Sequence, residues 1–129
     1  MSKVIKNKKT ALLSIPLLII FLASFSYFIY VYTGEKTRYD EVFRYLTVEK
    51  SYKDSDITKI EAEHSILDFI LSYEPWSISV VFNDEPNAIY YYHYNKGEIT
   101  QDGISGYTEN EIFKHYEEVE GGVNKTKSP

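Results

Sequence analysis

The chain has no cysteine. Disulfides, zinc–thiolate centres, cysteine nucleophiles and a thiol-linked lipid anchor are therefore excluded. Glycine is scarce, and no glycine-rich phosphate cradle, Gly-x-Ser-x-Gly or Ser-x-x-Lys string occurs. The three histidines, His64, His93 and His115, fall on different expected elements and lack the spacing of a ligand pair on one helix. Asp54, Asp56, Glu61 and Glu63 lack the spacing and distal glutamate of a calcium loop. Without an assembled nucleophile, base and stabiliser, the chain is expected not to be an enzyme. No catalytic, cofactor-binding or metal-binding residue is assigned. A hydrolase whose carboxylates assemble only in the fold stays open as a minor alternative.

Charge is unevenly divided along the chain. Lys3, Lys6, Lys8 and Lys9 occupy the first ten residues with no acid among them. The remaining ten Lys and Arg face all nineteen Asp and Glu, a balance of −9. So acidic a domain repels phosphate backbones, which makes nucleic acid the least expected partner.

Between these regions lies a long uncharged run. Residues 11–32 (ALLSIPLLIIFLASFSYFIYVY) would make about 33 Å of helix, enough to cross the hydrocarbon core of a bilayer. Tyr27, Tyr30 and Tyr32 cluster at its far end, where an apolar ring with a wet hydroxyl suits the interface. The run is apolar on every face, which disfavours a buried core helix. With lysines before it and acids after it, the expected layout is a cytoplasmic basic tail at 1–10, a transmembrane helix at 11–32 and an extracytoplasmic domain at 33–122. Residues 123–129 are expected to be a disordered tail. The alternative is a signal peptide cleaved near residue 26, which would release a secreted domain.

The outer region is expected to be α+β. Residues 33–38 read as a short polar exit. Tyr39, Val42, Phe43 and Leu46 then recur at the spacing of one helical stripe within 37–52. Residues 58–66 alternate apolar and charged positions, as a strand does. Residues 65–72 fit either a strand continuation or a short helix. Residues 76–83 and 88–95 are expected strands around the turn Asp84-Glu85-Pro86-Asn87, and Asn95-Lys96-Gly97 turns into a short fourth strand near 98–101. Thr108 with Glu111 looks like a capping box for a last helix over 109–119, with Ile112, Phe113, Tyr116 and Val119 inward. The expectation is a helix, a three- or four-stranded antiparallel meander and a C-terminal helix.

The lysine-led anchor, the string DITKIE at 56–61 and the hairpin SISVVFNDEPNAIYYYHYNKGEI at 77–99 carry a resemblance. They resemble a family of small single-pass proteins of Bacillus-like Firmicutes, domain of unknown function 3139. The likeness covers nearly the whole chain and carries no assigned activity. In layout the outer domain is also similar to PepSY domains, whose cystatin-like fold often serves extracytoplasmic regulation. Fold alone does not set function.

One feature invites a binding role. Tyr90, Tyr92 and Tyr94 share one face of their strand, with Ile89, Tyr91 and His93 on the other. Such a row either shields the sheet or offers a rigid recognition surface. The leading expectation is a non-enzymatic membrane-anchored binding or regulatory module, acting on another membrane or envelope protein through that face. The alternative is an envelope self-protection or stress-response protein that intercepts cationic peptides by charge.

Overall fold

A computed structural model describes residues 2–118, with side chains from residue 8 onward. The chain divides into two compact units, Met1–Gly34 and Glu35–Pro129. Helix α1 (Ser2–Arg44) belongs to both.

In the first unit the helix presents apolar side chains outward on every side, including Leu12, Leu17, Phe21, Phe25 and Tyr32. Among the described residues it is the one helix long and apolar enough to cross a membrane or serve as a signal sequence. Pro16 lies inside it and is tolerated. The short polar exit expected at 33–38 is helical, since α1 runs through it. Gly34 costs only about 1 kcal/mol in a helix, and Lys36 meets Asp40 one turn on at 2.6 Å.

The second unit is an antiparallel sheet covered on one face. Its strands are β1 (Ile57–His64), β2 (Trp76–Phe82), β3 (Ala88–Asn95) and β4 (Glu98–Gly106), in spatial order 1-2-3-4. A short helix α2 (Ile66–Ile70) resolves the ambiguous stretch in favour of helix. β4 is longer than expected, because Asp102 bulges out between the pairs Tyr92–Gln101 and Tyr91–Gly103 and lets pairing continue. The β3–β4 turn places Lys96 and Gly97 both at positive φ, as a tight hairpin requires.

Cross-strand register decides which face is the core. Ile78 opposes Tyr92 and Val80 opposes Tyr90, so the β3 tyrosines share a face with the apolar residues of β2. That face is covered by the end of α1 and by a π-helical turn, Tyr45–Glu49. Val42, Tyr45 and Leu46 are the buried positions there, whereas Tyr39, expected inward, is 44% exposed. The π turn widens the helix where Thr47 Oγ1 donates to the Phe43 carbonyl at 2.7 Å.

The expected C-terminal helix over 109–119 is not shown. Described residues 107–118 form turns and irregular chain, and Val119 lies outside them, as does the tail at 123–129. Glu111 sits at φ 58, which ends any helical start. Beyond it the pattern has period two: Phe113, His115 and Glu117 are partly buried, while Ile112, Lys114 and Tyr116 are exposed. The segment lies across the core face as a strap.

Candidate functional site

The core face carries tyrosines where aliphatic residues would pack more simply, and each buried hydroxyl needs a partner. The partners converge from a loop and from the strap. Glu85, in the β2–β3 turn, is only 4% exposed. Its carboxylate accepts from the Tyr90 hydroxyl and, at 2.9 Å, from the Lys114 backbone N–H. Glu117 accepts from Tyr45 at 2.6 Å and from Tyr92 at 3.3 Å. The Gln101 amide joins the strap as a ladder rung would: Nε2 donates to the His115 carbonyl and Oε1 accepts from the Glu117 N–H, each at 2.9 Å.

His115 stands at the centre. One ring nitrogen, Nε2, lies 2.7 Å from Asp84 Oδ1, and Nδ1 lies 2.8 Å from the Tyr52 hydroxyl. In outline Asp84, His115 and Tyr52 form an acid–base relay. Its chemistry points the other way. Burial, and the nearby charges of Glu117, Asp84 and Glu85, push the Tyr52 hydroxyl up from its ordinary value, which disfavours the phenolate a nucleophile or base needs. Tyr45, Tyr90 and Tyr92 are also raised, first by burial and then by their carboxylate neighbours. The four tyrosine hydroxyls therefore stay protonated near neutrality and can donate hydrogen bonds.

Beside the strap lies an open depression of about 640 Å³. Lys50 and Tyr52 border it on one side, Glu98–Gln101 of β4 on another, and Lys114–Glu118 on the third. Its rim mixes both charges with Tyr116, which is 62% exposed. Among the described residues no group of three His, Cys, Asp or Glu side chains converges in metal-binding geometry.

The tyrosine row expected on the surface is instead interior. Tyr90 and Tyr92 are 0% and 3% exposed, and Tyr94 is half-buried with the Arg38 guanidinium 5.4 Å from its ring. The cause is the shared face with β2: the covering layer settles where Ile78, Val80 and Phe82 need it. Of the histidines, His64 packs against Trp76 with ring centroids 4.6 Å apart, His93 is half-buried on the opposite face, and only His115 joins the network. The residues that build the network, Tyr45, Tyr52, Asp84, Glu85, Gln101 and Glu117, were not singled out by sequence. One signal was available: tyrosines at inward strand positions demand acceptors, and the acidic β2–β3 turn is near enough to supply them.

Comparison with family models, curated proteins and solved structures returns no match.

Proposed function

We propose that the chain is a membrane-tethered binding module without catalytic activity, whose N-terminal apolar helix is retained as its anchor. The basic tail stays cytoplasmic and the acidic α+β unit works outside, against another membrane or envelope protein. The observation that carries the binding role is the depression between the β4 edge and the strap. It has walls fixed by the Gln101 and Glu117 bonds, and its rim includes the edge strand of the sheet and side chains of both charges. The groups that could have performed acid–base work are tied into structural bonds. The PepSY-like layout suggested by the sequence agrees with a regulatory accessory, whereas the resemblance to domain of unknown function 3139 carries no assigned activity.

A photo-crosslinking residue placed at Thr100 or Tyr116 of the full-length protein in intact cells tests this. One protein captured from both positions, and not from Lys59 on the far strand, is the expected result. Equal labelling from all three positions sinks the surface assignment. An anchor cleaved near residue 26 would appear as a shortened protein in the medium and sinks the tether.

The balance of −9 outside the apolar run supports a second role, the interception of cationic peptides. Such binding weakens with salt, because exposed charges are screened within about 8 Å at physiological ionic strength.

A further inference from the structure

The eleven-residue excursion between β1 and β2 is more apolar than any solvent-facing loop needs to be. Ile66, Leu67, Ile70, Leu71 and Tyr73 are 53%, 67%, 67%, 61% and 68% exposed. Only Asp68 and Glu74 carry charge between His64 and Trp76. Scattered surface leucines are ordinary; a contiguous group of this size marks a contact site.

The excursion is also built, not slack. The Ser65 N–H donates to the Pro75 carbonyl at 2.8 Å and closes its base. The Asp68 N–H donates to Ser65 Oγ at 3.3 Å, capping α2. The Tyr73 N–H returns to the Asp68 carbonyl at 2.9 Å, with Ser72 held at φ 62. The apolar side chains are thus displayed on a closed frame.

Its place in the second unit says what covers it. The excursion springs from the end of the sheet where His64 pairs with Trp76. Arg38 lies over the Trp76 ring at 3.8 Å. Arg38 is six residues beyond Tyr32, the last residue of the apolar run. Even fully extended, six residues span at most about 20 Å. Around the excursion stand Trp76, Tyr73, Tyr94 and Arg38, amphipathic side chains that favour the headgroup level of a bilayer.

We propose that the α2 excursion is a second membrane contact, an apolar tip seated in the interfacial layer of the bilayer that the anchor crosses. It rests on the anchor of the proposed function. With a tether this short, lipid is the one apolar partner always within reach of the tip. Two contacts would restrict how the domain turns about its anchor and would present the depression in a restricted orientation.

The absence of cysteine makes the test direct. Leu67→Cys, Ile70→Cys, Phe21→Cys and Thr100→Cys, each in the full-length protein, are labelled with an environment-sensitive fluorophore. They are then reconstituted into phosphatidylcholine–phosphatidylglycerol vesicles carrying nitroxide lipids. The expected result is quenching at positions 67 and 70 by shallow nitroxides, at 21 by deep ones, and none at 100. Quenching at 21 with positions 67 and 70 as bright as 100 overturns the tip and leaves the anchor standing. No quenching at 21 removes the anchor and the tip together. A blue-shifted but unquenched probe at 67 means that a second copy covers the tip, which also overturns the lipid contact.

Discussion

The imidazole of His115 lies almost flat on the ring of Phe82, with centroids 3.9 Å apart and planes 23° from parallel. The contact joins the strap to the centre of the sheet, because Phe82 is fully buried. His115 is also held at both nitrogens by Asp84 and Tyr52. His115→Ala removes a partly buried ring and strands the Tyr52 hydroxyl. The expected loss is about 2–4 kcal/mol, from a cavity and a broken hydrogen bond together. Urea unfolding followed by the fluorescence of Trp76, the single tryptophan, measures it.

Acid should loosen the same corner. Burial pushes the Asp84 carboxyl up, but the hydrogen bond and charge of His115, its own backbone amide and Lys114 outweigh that and leave it below its ordinary 3.8. A depressed folded value adds stability above the unfolded one, and that stability is lost as pH falls through the folded value. The effect therefore lies below pH 3.8. Asp84→Asn should flatten the stability–pH curve there. An unchanged acid limb in Asp84→Asn removes this carboxylate from the account.

Alkali should act through the tyrosines. Tyr45, Tyr90 and Tyr92 are raised above their ordinary 10.0, each by burial first. A raised folded value means that their stability is complete below pH 10 and lost as pH climbs toward the folded values. Absorbance of phenolate during a pH titration should show these three ionising only as the domain unfolds. Smooth titration of every tyrosine near 10, with native circular dichroism, counts against their burial.

Much of this fold is legible from local pattern. Strands β2 and β3 alternate cleanly, and the Lys96-Gly97 turn announces the last hairpin. The strap is different. Phe113, His115 and Glu117 alternate just as a strand does, but Thr108 and Glu111 imitate a helix start, and the helical period explains Ile112 and Phe113 equally well. What decides the matter is long-range: Gln101 pairs with the strap's backbone from another strand. The network fails to show in sequence for the same reason, since Tyr45 and Glu117 are 72 positions apart. The tyrosine row was misplaced for a subtler one. Both faces of β3 are aromatic, so only its register with β2 says which is inward.

Gly106 is a position with one permitted residue. Its φ is 84, and a Cβ there would collide with the Asn87 carbonyl oxygen. That carbonyl already accepts from the Tyr107 N–H at 3.1 Å, so it is not free to move. Gly106→Ala should cost about 1–3 kcal/mol from backbone strain alone, with the collision added. Gly103→Ala meets open space and an ordinary φ, and serves as the control in the same thermal melts. Equal melting temperatures for the two variants would falsify the close approach.

Glu85 and Tyr90 supply the sharpest test of the core. A carboxylate at 4% exposure is stable only while its donors are present, here the Tyr90 hydroxyl and the Lys114 N–H. Tyr90→Phe takes away one donor and leaves the charge, a loss of about 1.5–3 kcal/mol for a hydrogen bond to a charged group. Glu85→Gln keeps an acceptor and sheds the charge, so it should cost less. Glu85→Leu strands both donors and should cost most, about 2–6 kcal/mol, since each buried donor left without an acceptor costs about 1–3 kcal/mol. In the double variant Tyr90→Phe with Glu85→Leu, the phenyl and leucine can pack without a polar orphan on the sheet side. Its cost should therefore fall well short of the two single losses combined. Losses that add to within about 0.5 kcal/mol would mean that the two groups act independently.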